Sequence, residues 1–132
     1  MDARIAAVAA AVAGAPYLMG GFVWDDGPLI AERLVHLDLG GLLQLWAGPV
    51  SEDGPGAAYY RPVALTVMAL LGRLGPWAIH LLALLSHATS AFLLVRLCRG
   101  TRWPLIAGLV FAVHPLTSEV LGWCSALPDA MA

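Results

Sequence analysis

The chain has 132 residues, of which 60% are hydrophobic and 12% charged, and a net charge of -2. So few polar groups could not cover a soluble domain of this size, whereas a lipid-facing chain needs no such cover. The small net charge, carried with seven Arg and no Lys, excludes nucleic acid as a partner.

A bilayer crossing takes about 20 apolar residues, so three or four crossings use up most of this length. The expected fold is therefore all-α and polytopic. From Ile5 to Val23 only Gly14, Pro16, Gly20 and Gly21 interrupt an apolar run, which reads as the first transmembrane helix, about 5–23. A secretory signal is the rival reading of Arg4, the run from Ile5 and the small triplet Ala13-Gly14-Ala15.

The stretch 24–60 reads as an external loop. It gathers Asp25, Asp26, Glu32, Asp38, Glu52 and Asp53, and Gly48-Pro49 with Gly54-Pro55-Gly56 break any long helix. Within it Pro28 opens a short helix whose Leu29, Ile30, Leu34, Val35 and Leu37 form one apolar side, and Leu39 to Trp46 forms another. Both are expected to lie on the membrane surface.

After Tyr59-Tyr60-Arg61, Pro62 starts an interfacial helix, 62–74, too short to cross. Trp77 to Cys98 is the clearest spanning run, and a third crossing is expected over 103–121. Arg96, Arg99 and Arg102 cluster at the turn between them. With Arg4 ahead of the first crossing, the positive-inside rule puts the N-terminus and this turn in the cytoplasm and the acidic loop outside. His114, Glu119 and Asp129 then reach the outer face too. Cys98 and Cys124 fall at opposite faces, so no disulfide is expected, and they have no zinc spacing.

The candidate catalytic residues are Asp25 and Asp26, which leave the first crossing where lipid gives way to water. Adjacent acids there repel one another, a property suited to a general base, although a solvated helix exit has the same composition. Arg61, beside two Tyr, is a candidate phosphate binder or an interfacial anchor. His114-Pro115 and Glu119 make a polar break at the outer end of an apolar helix, where ionisable groups are costly unless paired or used. His80 and His87, seven apart on one helix face, suit hydrogen bonds inside the bundle. No metal ligands are assigned. One acidic pair does not establish a divalent metal site, and cofactors are otherwise unknown from the sequence.

Val23-Trp24-Asp25-Asp26, Tyr60-Arg61-Pro62-Val63, the helix from His80 to Leu97, and Phe111-Ala112-Val113-His114-Pro115-Leu116-Thr117-Ser118-Glu119-Val120 with Trp123 follow in an order that carries a resemblance. The pattern resembles the N-terminal part of the GT-C glycosyltransferases, close to the TMTC-type protein O-mannosyltransferases and their bacterial relatives with tetratricopeptide repeats. The resemblance implies transfer of a sugar from a polyprenyl-phosphate carrier to a protein or glycan acceptor hydroxyl on the outer face of a membrane. Asp25 or Asp26 would act as the base or orient the acceptor. Arg61 would meet the carrier phosphate, and His114 and Glu119 would line the site as substrate-binding residues. Where relatives usually read Gly-Arg-x-Asp after the Trp, this sequence has Ala126-Leu127-Pro128-Asp129 and no Arg.

The resemblance further implies a bacterial inner-membrane protein and an N-terminal fragment of a longer enzyme, inactive alone. The alternative function is a noncatalytic membrane assembly or interaction module. A transporter fragment ranks third, for want of an ionisable group at mid-bilayer.

Overall fold

A computed structural model describes residues 2–48 and 60–131 of the chain. Pro49, Glu52, Asp53, Gly54-Pro55-Gly56 and Tyr59, expected in the external loop, lie outside the described residues. Seven α-helices are described, with no strand among these residues. They are α1 (Asp2–Gly14), α2 (Leu39–Ala47), α3 (Pro62–Gly72), α4 (Pro76–Leu97), α5 (Pro104–Val113), α6 (Thr117–Gly122) and α7 (Leu127–Met131).

The frame is a bundle of α1, α4 and α5. Its seam is made of small residues: Ala3, Ala6 and Ala10 of α1 are buried with Ala91 and Val95 of α4 and Ala112 of α5. Small side chains let the backbones approach closely, which is how helices associate where lipid gives no hydrophobic drive. Gly108 marks the tightest point, because a Cβ there would lie 3.1 Å from the Ala6 Cβ and overlap Val95. The outward sides are apolar as well, with Val8, Val12, Leu85, Leu93, Leu97, Ile106 and Val110 all exposed. A bundle apolar on both its seam and its outside matches a lipid surrounding.

Among the described residues, two helical stretches are long and apolar enough to cross a membrane, Asp2–Met19 and Pro76–Gly100. The first ends in a 3-10 turn, Ala15–Met19, so the expected span over 5–23 is helical only to Met19. The expected third crossing, 103–121, is not one helix. α5 ends at Val113, the backbone of His114 is extended, and α6 restarts at Thr117. Pro115 is the reason, since its ring disfavours helical geometry at the residue before it. Ten residues of α5 extend about 15 Å against a hydrocarbon core of about 30 Å.

The loop after the first span also differs from expectation. Gly27–Ala31 forms a π-type turn and Leu34–His36 a 3-10 turn, not one surface helix. Their apolar side chains point into the protein: Ile30 and Leu34 are fully buried with Met68 and Ala69 of α3 and Ile79 of α4. Arg73, just past α3, fixes the loop by donating to the carbonyls of Val35, at 3.1 Å, and Leu37. α2 covers nearly the same residues as the expected run from Leu39 to Trp46. Asp38 caps it by accepting from the Gly41 N–H at 2.8 Å, and Trp46 ties it to α3 through the Thr66 hydroxyl at 3.1 Å.

Candidate functional site around the Asp26 turn

The chain leaves the first span through a turn from Val23 to Asp26, closed by the Asp26 N–H donating to the Val23 carbonyl at 3.0 Å. Trp24 sits in it at φ 49°, the only non-glycine residue with positive φ among the described residues. Positive φ at the first central position and negative at the second is the sign pattern of a type II′ turn, whose first central position favours Gly. A Trp there is strained by about 1–3 kcal/mol, so other contacts must hold it.

Those contacts come from Asp26, which is fully buried. Its Oδ2 accepts from the Val23 N–H at 3.1 Å and from the Cys124 N–H at 3.2 Å. Its Oδ1 accepts from the Ser125 N–H at 2.7 Å and the Ser125 hydroxyl at 2.5 Å. A carboxylate offers about four lone-pair sites, and all four are engaged. Asp26 therefore joins the turn after the first span to the short turn Cys124–Ala126 near the other end of the chain. Asp25, its neighbour, is exposed.

The aspartate pair is thus divided into one saturated and one accessible carboxylate. Nothing in the dipeptide marks which one turns inward. The signal lies in Ser125, whose backbone and hydroxyl donors make a seat for one acid, and the sequence reading did not include it.

Cys124 beside this turn is buried, and its thiol is pushed up to about 12, first by burial and then by the charge of Asp26. His80 lies against it, with Nε2 3.5 Å from the Cys124 Sγ and Nδ1 2.8 Å from the Leu121 carbonyl. His87 makes the matching bond one level along, Nε2 to the Ala112 carbonyl at 3.1 Å, and its ring lies 5.0 Å from that of Phe111. Each imidazole donates to a carbonyl freed where α5 and α6 end. Both histidines are buried, as expected for groups bonding inside the bundle.

The other three candidate residues fall into two groups around the turn. Arg61 lines a cavity of about 390 Å³ with Pro128 and Asp129, and its guanidinium lies 3.5 Å from the Asp129 carboxylate. His114 lines a second, largely apolar cavity of about 630 Å³, between Phe111, Val120 and Ala130, that also has Asp129 on its wall. Asp129 is thus common to both, a position the sequence reading had assigned only to a membrane face. His114 Nδ1 accepts from the Leu116 N–H at 3.2 Å, which leaves Nε2 as its donor. Glu119 lies apart from these, in a depression of about 650 Å³ with Tyr17, Trp24 and Trp123. There the rings of Trp24 and Trp123 meet edge to face, 5.5 Å apart at 87°. The indole N–H of Trp123 is buried without a partner among the described residues. Among these residues no three His, Cys, Asp or Glu come together as a metal-binding group.

Sequence comparison finds relatives of the chain. The chain is 33% identical over 115 residues to protein O-mannosyl-transferase TMTC3 of Mus musculus, and 31% identical to the human TMTC3. The chain is TMTC-like and mannosyltransferase-related. Protein O-mannosyl-transferase tmtc2 of Xenopus laevis is 38% identical over 83 residues. The TMTC3 alignments cover 79% of this chain and 12% of the relative; the tmtc2 alignment covers 58% and 10%. The chain thus spans about an eighth of the TMTC3 proteins it matches. No family model matches the chain, and no solved structure does. The TMTC likeness relates the chain to protein O-mannosyl-transferases, and among the described residues it carries two helical stretches long and apolar enough to cross a membrane.

Proposed function

We propose that the chain is part of a GT-C-type glycosyltransferase that moves a sugar from a polyprenyl-phosphate carrier to an acceptor hydroxyl, of a protein or glycan, on the outer face of its membrane. The observation that carries this reading is the divided aspartate pair in a mannosyltransferase-related chain. Asp26 has no lone pair left for a substrate, and Asp25 stands exposed one residue away.

In this reading the acceptor oxygen attacks the anomeric carbon, and the bond from that carbon to the carrier phosphate breaks. The polyprenyl phosphate leaves with the bonding pair. Asp25 takes the acceptor's proton, and Asp26 holds the turn that carries Asp25. Arg61 exchanges its contact with Asp129 for the carrier phosphate, which its planar fork meets with two parallel bonds. His114 donates from Nε2 to the same headgroup, and Glu119 serves the sugar side. The N-terminus and the Arg96–Arg102 turn are cytoplasmic, and α5 with α6 completes a third, bent crossing. The bacterial inner membrane belongs to this reading on the resemblance alone.

The test is transfer of labelled mannose from polyprenyl-phosphate mannose to a Ser/Thr peptide. It uses membranes in which this segment is carried in a chain of the relatives' length. Transfer is expected from that chain and none from the 132 residues alone. A chain that folds, binds the carrier and transfers no sugar would favour the noncatalytic assembly module.

A further inference from the structure

We propose that the depression between Trp24, Trp123 and Glu119 seats the pyranose ring of the transferred sugar, an inference that rests on the glycosyltransferase reading. Its volume of about 650 Å³ lies within the usual range for small-ligand sites. Its wall combines an aromatic corner with one carboxylate. The Trp24 and Trp123 rings stand at 87° to one another and form a corner, in which the exposed Trp24 offers indole surface to a guest. A pyranose matches this corner. Its axial C–H groups carry slight positive charge and lie against a negative π-face, while its equatorial hydroxyls point sideways as donors. Glu119 is the acceptor in reach of that rim, and a hydroxyl donating to a carboxylate is a charge-assisted bond.

The backbone gives independent support. Trp24 holds a positive φ while 77% exposed, so the protein spends strain to present a large ring outward. A residue serving only as an interfacial anchor needs no such geometry, because an indole reaches the headgroup zone from any backbone. The four bonds of Asp26 hold this turn, and Asp25, the proposed base, is the next residue after the ring. A sugar resting on Trp24 thus sits on the residue that precedes the accessible carboxylate in the same turn.

The test is saturation-transfer NMR on the chain in lipid nanodiscs, with methyl α-mannopyranoside as probe and butyltrimethylammonium as a cationic competitor. The hexoside should receive saturation at its ring C–H protons. Trp24→Ala and Glu119→Gln should each weaken its binding about tenfold, the size of one aromatic contact or one hydrogen bond. Trp24→Tyr should retain binding, which separates loss of the platform from loss of fold. No hexoside binding by the intact chain, unchanged binding in both weakened variants, or displacement by the quaternary ammonium would overturn the proposal. Because the probe carries no phosphate and needs no transfer, hexoside binding by this chain, with no transfer even from a chain of the relatives' length, supports the pocket while counting against the transferase reading.

Discussion

The hydroxyl and the backbone N–H of Ser125 both donate to Oδ1 of Asp26, at 2.5 and 2.7 Å, across 99 positions of sequence. This contact joins the exit of the first span to the turn ahead of α7. Through it, the geometry of the Trp24 turn depends on residues near the end of the chain.

Removing the Asp26 carboxylate should therefore cost stability first. Asp26→Ala leaves the N–H groups of Val23, Cys124 and Ser125 without their acceptor, at about 1–3 kcal/mol for each group that water does not reach. A total of about 2–4 kcal/mol is expected, read as a lowered midpoint of thermal unfolding in detergent. Ser125→Ala removes only the hydroxyl bond and should cost about 1 kcal/mol.

The two histidines should behave alike. His80→Leu or His87→Leu leaves the Leu121 or Ala112 carbonyl unpaired inside the bundle, at about 1–3 kcal/mol. Gln, which can donate to the same carbonyl, should recover part of the loss, and unfolding midpoints of the four variants check this.

Cysteine chemistry gives a pH prediction. The Cys124 thiol, raised to about 12, holds its proton more tightly when folded than when unfolded, where it titrates near 9.0. Its contribution to stability is complete below pH 9 and is lost as the pH rises from 9 toward 12. At pH 8, iodoacetamide should modify the half-buried Cys98 and spare Cys124 until the protein is unfolded, as read by mass spectrometry.

The exposed Arg61–Asp129 pair is expected to matter little for stability. Asp129→Asn should shift it by less than about 1 kcal/mol. In the proposed enzyme, Arg61→Ala should raise KM for the polyprenyl-phosphate donor more than it lowers kcat. The two readouts together separate a binding residue from a structural one.

Topology can be checked with single cysteine probes in a Cys98→Ser, Cys124→Ala background. An impermeant maleimide added from outside should label Glu32→Cys and not Thr101→Cys. The reverse result would invert the orientation.

Much of the helical layout was legible because apolar runs and helix-starting prolines are local signals. Pro62, Pro76 and Pro104 each open a helix, and Leu39–Ala47 forms as its pattern requires. The break at His114-Pro115 was legible too, since the residue before Pro avoids helical geometry, but apolar length outweighed it in the sequence reading. The side of the loop that Ile30 and Leu34 face was not legible. An apolar stripe suits lipid and α3 equally, and only the fold decides between them. The burial of Asp26 depends on Ser125, and the role of Asp129 depends on α7 meeting the start of α3. Both are long-range relations that no local pattern carries.

The most direct measurement compares Asp25→Asn and Asp26→Asn, each in a chain of the relatives' length, for mannose transfer and thermal unfolding in the same preparation. The account predicts that Asp25→Asn leaves the midpoint unchanged and lowers kcat by about 10²–10⁴, the usual contribution of a general base. Asp26→Asn should lower the midpoint as well as the rate. Full transfer activity in a stable Asp25→Asn protein would contradict the division of the pair.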